Sequence, residues 1–241
     1  MAILMDHLIS WMIAIPILGI GILAFFRDEE SIRRIALGVT MVNVLLSLIL
    51  CTSFDLSLQG MQFVERVQWM PTFNIQYAVG VDGISILMVM LTVLLCPLCV
   101  LCSWTSIKTR VRAFLSLILL VEGAMIVVFT ALDLFLFFML WELTMIPMYF
   151  MIILWGGPNR LAAGLKFVLY SLAGSLLLLV GILGLYLNGG NTYDLLVLTE
   201  HTYSSSAQSW LFLAFFLSFA IKMPMVPFHT WLPDAHSEAP T

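Results

Sequence analysis

Three ionisable residues inside long apolar runs are the chemically informative features of this sequence. Glu122 lies in AFLSLILLVEGAMIVVFTA, Glu142 lies in DLFLFFMLWELTMIPMYFMIILW, and Lys222 ends the apolar run before MPMVPFHTWLP. Such groups are costly at membrane depth, and by default they mark proton or ion pathways. Carboxyl and amine groups take up and release protons, so the chemistry that these residues predict is proton transfer.

Two prolines follow the lysine and predict a broken helix. A proline within a helix removes the hydrogen bond to the carbonyl four residues earlier. We therefore expect Pro224 to free the carbonyl of Ala220 and Pro227 to free that of Met223. Non-helical backbone at membrane depth persists only inside protein or beside a water-filled cavity, and transporters build ion sites from such helices. The pattern predicts that Lys222 faces a hydrated interior.

A third proline lies beside the glutamate of the fifth apolar run. Pro147 is expected to free the carbonyl of Leu143, the residue after Glu142. Glu142 and Lys222 lie at comparable depth, so we expect them to approach within ion-pair distance or within reach of one water molecule. A purely structural ion pair is the alternative, although desolvation largely cancels the stability that buried pairs gain.

His229 and His236 follow the break and extend the set of candidate residues. Histidine exchanges protons near neutral pH. These two residues are candidates for a proton relay, and a structural role is equally open for each.

Membrane helices must position these groups. The chain has 241 residues, of which 62% are hydrophobic and 10% charged, whereas globular chains have about a quarter charged residues. A bilayer core takes about 20 helical residues. The sequence predicts an all-α, polytopic transmembrane bundle of about seven helices, whose seventh starts near Gln208 and is broken by proline. The other six are predicted at 8–26, 35–53, 84–104, 113–131, 133–155 and 165–187.

The basic residues predict the orientation of the bundle. Eight of the ten lysine and arginine residues lie in the first, third and fifth loops, and Arg66 lies in an even-numbered loop. Because basic loops stay in the cytoplasm, we expect the N-terminus and loops 54–82 and 188–207 outside. Loop 105–112 should face the cytoplasm. The first span lacks the basic start and small-residue cleavage site of a signal peptide, and no basic patch indicates nucleic acid.

The run CPLCVLC has the spacing of iron–sulfur ligands. Cys96, Cys99 and Cys102 nevertheless fall within one predicted helix. At this spacing their side chains lie at successively different positions around the helix and do not converge on one metal. Cys51 lies in another helix. Buried cysteine behaves as a small apolar residue, so the sequence favours packing over a cluster.

Long motifs resemble one family. LDLFLFFMLWELTMIPMYFMIILWGG, KMPMVPFHTWLPDAHSEAPT and VDGISILMVMLT are similar to the M-type (chain 4) antiporter-like subunits of proton-pumping NADH:quinone oxidoreductase, respiratory complex I. The glutamate followed five residues later by proline and then Met-Tyr-Phe separates this type from the L- and N-type subunits. It separates the chain less sharply from cation/proton antiporter subunits. The resemblance covers essentially the whole chain.

The resemblance assigns roles to the candidate residues. Glu142 matches the helix-five glutamate and Lys222 the helix-seven lysine of the family's input half-channel. His229 and His236 match the histidines beyond the helix break, and Glu122 matches a helix-four glutamate found in many members. We therefore expect Glu142 and Lys222 to form the proton-transfer pair.

The family's fold implies a division of the chain. Its members contain two inverted repeats of five helices, so the resemblance implies a three-helix segment at 1–110 and an incomplete first repeat at 111–241. The family has about twice as many helices. We expect the central lysine of helix eight and the second repeat, with its exit-side charge, to lie outside this sequence. The chain alone would then hold half of a pathway.

The resemblance also implies function, partners and location. It implies a subunit that takes part in proton translocation coupled to NADH oxidation and quinone reduction. NAD, FMN, iron–sulfur clusters and quinone would belong to other subunits, and none to this chain. Expected partners are the lipid bilayer and other membrane subunits, including L- and N-type ones, in a bacterial or mitochondrial inner membrane. A sodium/proton antiporter subunit and a non-catalytic scaffold remnant are the alternatives.

Overall fold

A computed structural model describes residues 5–240 and consists mainly of long helices. Residues 1–4, which include the N-terminus predicted to lie outside, and residue 241 are outside the described part. The long helices are α1 (Leu8–Phe25), α2 (Glu29–Ser53), α3 (Ser85–Ser106), α4 (Val111–Thr130), α5 (Leu134–Trp155) and α6 (Arg160–Asn188). The strands β1 (Gln62–Met70) and β2 (Ile75–Val81) and the helices α7 (Leu195–Glu200), α8 (Ser205–Lys222) and α9 (Trp231–Glu238) complete the order.

The predicted class is confirmed. The six helices α1 to α6 are long and apolar enough to cross a membrane. The seventh predicted span is α8, a helix of 18 residues that ends at Lys222. The proline-broken seventh helix is therefore present, with the lysine as its last residue.

The second predicted span starts earlier than expected because its first turn is capped. The Asp28 carboxylate accepts hydrogen bonds from the amide of Ser31 at 2.8 Å and from its hydroxyl at 2.7 Å. These bonds hold the pKa of Asp28 below its usual value, and such a cap stabilises a helix start. As a result α2 begins at Glu29, and Arg33 and Arg34 lie on the helix and not in the predicted loop.

The predicted outer loop 54–82 contains a β-hairpin. Its strands are rich in the β-branched and aromatic residues that favour strands, and β1 and β2 pair in a two-stranded sheet. Glu65 of β1 is only 6% exposed. Its carboxylate accepts hydrogen bonds from the Ser10 amide at 3.1 Å and from His7 Nδ1 at 3.2 Å. This acidic loop residue therefore anchors the hairpin to the start of α1.

The described residues form two compact units. The first comprises the chain up to Val67 together with Tyr77–Ala131, and the second comprises Gln68–Gln76 and Leu132–Pro240. In the first unit α1 packs against α2 and α4, and α3 packs against the same two helices. In the second, α6 packs against α5, α8 and α9. Compactness thus groups α4 with the preceding helices, while the predicted repeat boundary after residue 110 stays a prediction.

Glycines bring α6 and α8 close together. A Cβ on Gly174 would lie 3.2 Å from the Ile221 side chain, and one on Gly181 would lie 3.0 Å from Phe215. Small residues let helix backbones approach in this way. A different set of α6 side chains forms an exposed apolar stripe: Leu165, Leu169, Leu172, Leu176, Val180 and Leu183. One set of α6 residues therefore makes a close helix contact, while the other suits an apolar environment.

The close contact gives a first prediction. Gly174→Leu should destabilise the second unit by about 1–3 kcal/mol, because extra methylenes overpack a tight contact. Gly21→Leu is the matched control, since nothing lies within 4 Å of a Cβ at Gly21. Thermal unfolding of the purified protein in detergent measures both variants. Equal shifts in melting temperature would show that the α6–α8 contact is not tight.

Candidate proton-transfer site

A buried carboxylate sets the start of the helix that carries Glu142. Asp133 is 2% exposed, and its side chain accepts hydrogen bonds from the amides of Phe135 and Leu136 at 2.9 Å and of Gln76 at 3.1 Å. Burial raises the pKa of Asp133, and the three amides oppose that rise. The cap fixes Glu142 about 14 Å from Asp133 along the helix axis, since each residue adds about 1.5 Å.

Glu142 is half-buried and is held by a hydroxyl group. Its Oε1 accepts a hydrogen bond from Ser175 of α6. Ser175 is 5% exposed, and its Oγ also lies 2.9 Å from the main-chain oxygen of Ser171. The contact joins α5 to α6 within the second unit, so the carboxylate has a fixed neighbour.

Lys222 faces aromatic rings instead of a carboxylate. Its Nζ lies 5.2 Å from the ring centroid of Trp141 and 6.0 Å from that of Phe167, distances at which a ring face attracts a cation. Trp141 directly precedes Glu142 on α5. Among the described residues, no ion pair within 4.0 Å joins Lys222 to Glu142. A direct pair is therefore not formed in this structure, and a connection through one water molecule stays a prediction.

The carbonyl expected to be free at the break has a partner. Pro224 cannot supply the helical donor of Ala220, as expected, but the main-chain oxygen of Ala220 is not left unpaired, since it accepts a hydrogen bond from the Met225 amide at 2.8 Å. The physical reason is that the chain turns after Lys222 and brings a later amide into reach. Pro227 frees no helical carbonyl, because α8 has already ended five residues earlier.

A tryptophan side chain supplies a second hydrogen-bond donor at the break. The indole Nε1 of Trp231 donates to the main-chain oxygen of Ile221 at 2.8 Å. Trp231 is 7% exposed, and its ring packs against Phe167 with centroids 5.4 Å apart. The side chain that satisfies the broken helix therefore also packs on a ring that faces Lys222.

Side chains on α6 fasten the segment after the break. Lys166 Nζ lies 2.7 Å from the Asp234 carboxylate, and the Tyr170 and Thr230 hydroxyls lie 2.8 Å apart. The segment is thus tied to α6 at two levels. Since Lys166 precedes Tyr170 by about one helical turn, the two ties run along the same part of α6.

Backbone contacts tie the end of the same segment to the α5–α6 loop. The main-chain oxygen of Glu238 accepts from the Gly157 amide at 2.9 Å, and its carboxylate accepts from the Asn159 amide at 2.9 Å. A Cβ on Gly157 would lie 2.6 Å from that carboxylate. A Cβ on the neighbouring Gly156 would lie 2.6 Å from the main-chain oxygen of Glu238, so the close approach requires glycine at position 156.

The two histidines have different surroundings. His229 lies in the 3₁₀ turn Phe228–Thr230 and is partly buried, and its Nδ1 has no hydrogen-bond partner among the described protein atoms. His236 lies on α9 and is exposed. Both follow Lys222 in the second unit, and His229 is the more buried of the two.

Glu122 belongs to the first unit, unlike Glu142. It is fully buried on α4, and its Oε1 accepts from Asn43 Nδ2 at 3.0 Å. The same amide donates to the main-chain oxygen of Met12 at 3.1 Å, the carbonyl that Pro16 leaves without its helical donor. Glu122 is thus part of a separate polar contact where α1, α2 and α4 meet.

The cysteines of the iron–sulfur-like run do not share one environment. All lie on α3, where Cys96 is buried while Cys99 and Cys102 are exposed, and all are free thiols. No group of three metal-ligating side chains occurs within residues 5–240.

Three residues that hydrogen-bond in these polar contacts, two in the second unit and one in the first, escaped prediction. Ser175 and Asn43 carry a sequence signal, since a polar side chain in an apolar run needs a hydrogen-bond partner once it is buried. Trp231 carries none, because its hydrogen bond to Ile221 depends on how the chain turns after the break.

Family models match nearly the whole chain. One, described as "NADH-ubiquinone oxidoreductase chain 4, amino terminus", matches residues 11–128, and one described as "NADH:quinone oxidoreductase/Mrp antiporter, TM" matches residues 131–241. NADH-quinone oxidoreductase subunit M of Rhodobacter capsulatus is 42% identical over 98% of this chain and 49% of that relative.

Solved structures share the fold. Respiratory complex I from Thermus thermophilus with bound NADH contains a chain that matches with a TM-score of 0.82 and 32% identity, over 99% of this chain and 47% of that one. The Mrp complex from Dietzia sp. DQ12-45-1b matches with a TM-score of 0.80 and 20% identity, over 98% of this chain and 25% of that one. At 20% identity the second likeness concerns the fold alone.

The fold and the site together define an antiporter-like membrane protein. Its features are apolar helices, a helix that breaks at a lysine, and a glutamate next to a tryptophan that contacts this lysine. The chain belongs to the M-type, or chain 4, antiporter-like subunits of the NADH:quinone oxidoreductases. It spans about half the length of the relatives it matches.

The hydrogen bond from Trp231 to the Ile221 carbonyl gives a second prediction. Trp231→Phe keeps the ring packing but removes the indole donor, and leaving the buried Ile221 carbonyl unpaired should cost about 1–3 kcal/mol. Trp210→Phe is the control, because Trp210 is 71% exposed on α8. Thermal unfolding in detergent compares the variants. A Trp231→Phe protein as stable as the control would mean that the break does not depend on this hydrogen bond.

Proposed function

We propose that the chain acts in proton translocation as a membrane subunit of an NADH:quinone oxidoreductase, complex I, coupled to NADH oxidation and quinone reduction. Membership of the family supports this function. The observation that carries it is the placement of Glu142 and Lys222 in one compact unit, where each has a non-ionic partner. A structural ion pair requires direct contact between the charges, and these charges have other neighbours.

The arrangement suits proton transfer better than permanent pairing. In a low dielectric, separated opposite charges still stabilise each other, because the attraction falls only with the inverse of distance. Ser175 holds the Glu142 carboxylate, while the faces of Trp141 and Phe167 stabilise the Lys222 ammonium. Loss or gain of a proton at either group then changes the field at the other without breaking a direct bond.

The end of α8 is the two-state element in this proposal. Lys222 is the last helical residue, so a change in the turn that follows moves it relative to α5 and α6. Redox reactions in other subunits would drive that change through polar groups. His229, with its partly buried ring, suits a relay beyond the break, whereas the exposed His236 suits exchange with solution. Glu122 would be a further proton-binding group in the first unit.

The surroundings of the chain follow from the same proposal. The N-terminus lies outside, and the energy-coupling membrane is the bacterial or mitochondrial inner membrane. Partners are other membrane subunits, including L- and N-type ones, which neighbour the exposed apolar helix faces together with lipid. NAD, FMN, iron–sulfur clusters and quinone are bound by other subunits, and this chain carries out no redox step.

Variants at Glu142 and Lys222 distinguish the proposed function from the two alternatives, a sodium/proton antiporter subunit and a non-catalytic scaffold. Glu142→Gln and Lys222→Ala should each lower proton pumping and coupled NADH oxidation per assembled complex, because each removes a proton-binding group. Removal of one buried charge also costs about 3–5 kcal/mol if the other is left unpaired. Activity must therefore be normalised to the amount of complex, measured in vesicles of the native membrane.

Matched variants complete the test. Glu200→Gln and Lys108→Ala change exposed residues of the same types and should pump normally. Glu142→Asp keeps the charge with a shorter reach and should show a partial defect. Normal pumping per complex in both Glu142→Gln and Lys222→Ala refutes proton transfer and supports a scaffold, while pumping of sodium in place of protons supports antiport.

The orientation can be tested separately. In a background without native cysteines, Ser106→Cys should react with an impermeant thiol reagent only from the cytoplasmic side, and Ser205→Cys only from outside. Both residues are exposed at helix ends, and the distribution of basic residues assigns their sides. Labelling of Ser106→Cys from outside would invert the topology and the direction of the half-channel.

A further inference from the structure

One hydroxyl group in the second unit has two acceptors. The Oγ of Ser175 contacts Glu142 Oε1 on α5 and lies 2.9 Å from the main-chain oxygen of Ser171 on its own helix. Ser175 is 5% exposed, so these contacts are made inside the protein.

The Ser175 hydroxyl has one proton, so it cannot donate to both acceptors at the same time. A serine hydroxyl has one proton to donate and two lone pairs that accept. When Glu142 is ionised, the Ser175 proton points to the carboxylate. When Glu142 is protonated, its own O–H donates to Ser175 Oγ, and the Ser175 proton turns to the oxygen of Ser171. Rotation of one hydroxyl therefore satisfies the carboxyl group in either protonation state, with every heavy atom in place.

A serine with only a structural role looks different in this protein. Ser47 of α2 is 1% exposed, and its hydroxyl donates to the main-chain oxygen of Val44 at 2.8 Å. Such back-bonding is the ordinary way for a helix to satisfy a serine hydroxyl. Ser175 also has a backbone acceptor on its own helix, the oxygen of Ser171, and in addition contacts a carboxylate, so local back-bonding does not account for it.

The neighbourhood of Ser175 adds an independent observation. Ser171 lies one turn earlier on the same face of α6, is 5% exposed, and has a hydroxyl without a hydrogen-bond partner among the described protein atoms. Between the two serines, Gly174 packs against Ile221, the residue before Lys222. Two buried hydroxyls thus lie beside a close contact between α6 and the end of α8. Burial of a hydroxyl group is unfavourable unless it is hydrogen-bonded, and for Ser175 the Glu142 carboxyl group supplies that partner.

We propose that Ser175 is a positioning residue for proton transfer, which holds Glu142 in one place whether Glu142 is ionised or protonated. The inference rests on the proposed function of Glu142. The only covalent bond that forms or breaks at this site is the O–H bond of Glu142: its proton is exchanged with the pathway, while Ser175 keeps its own proton and only turns its hydroxyl. The residue removes the need for the carboxyl group to find a new partner each time its charge changes.

The test uses the complete membrane complex with variants at Ser175. Ser175→Ala should lower proton pumping per assembled complex by roughly tenfold, because a buried charged group loses its hydrogen-bond donor. Ser175→Thr retains a hydroxyl on Cβ and should restore at least half of the activity. Ser47→Ala, the matched loss of a buried hydroxyl that contacts no acid, should pump normally. Pumping is measured as the rate of acidification of the vesicle interior during NADH oxidation, divided by the amount of assembled complex.

A second background separates this inference from the proposed function. In Glu142→Gln, addition of Ser175→Ala should cause no further loss of pumping, since a residue that acts through Glu142 has nothing left to position. Normal pumping by Ser175→Ala, or equal losses in Ser175→Ala and Ser175→Thr, overturns the role of Ser175 while a defective Glu142→Gln protein leaves the proposed function in place. Normal pumping by Glu142→Gln also overturns the role of Ser175, and the proposed function falls with it if Lys222→Ala pumps normally as well.

Discussion

The interaction on which the second unit depends is the hydrogen bond between the Ser175 hydroxyl and the Glu142 carboxylate. A charged group inside apolar helices needs a partner, and the kind of partner determines what the group can do. An opposite charge in direct contact would fix both groups in their ionised forms. A hydroxyl donor and a pair of ring faces stabilise the charges less strongly and leave each of them able to change.

The break at the end of α8 obeys a similar constraint. A helix that stops inside protein leaves carbonyls without their helical donors, and each of them needs a replacement. Here the Met225 amide and the Trp231 indole supply two replacements, on consecutive carbonyls. In the first unit, the Asn43 amide donates to the main-chain oxygen of Met12, which Pro16 leaves without its helical donor. The same amide also donates to Glu122. In both units a proline-related irregularity and an ionisable residue therefore share one polar neighbourhood.

Length, hydropathy and the family motifs were enough to predict the membrane helices, the break at Lys222 and the family. These features depend on local sequence, because a helix in an apolar environment satisfies its own backbone. Contacts between elements were harder to predict. The freed carbonyl at Ala220 was predicted from the helix alone, yet its partner comes from the turn that follows. The hairpin was not predicted, because its strands lie in a region with charged and turn residues. The burial of Glu65 in that region depends on contact with the start of α1, which the local sequence does not indicate.

The hydrogen bonds between Glu238 and the α5–α6 loop have a kinematic consequence. They join two points of the chain that are 81 residues apart in sequence, Gly157 and Glu238, next to Gly156, where a Cβ would lie 2.6 Å from the main-chain oxygen of Glu238. The chain from α6 through α8 to α9 is therefore a closed linkage, anchored at both ends to the same loop. In a closed linkage a segment cannot slide along its neighbour without opening the closure. Any displacement at the level of Lys222 that also moves α9 away from that loop must therefore break these hydrogen bonds.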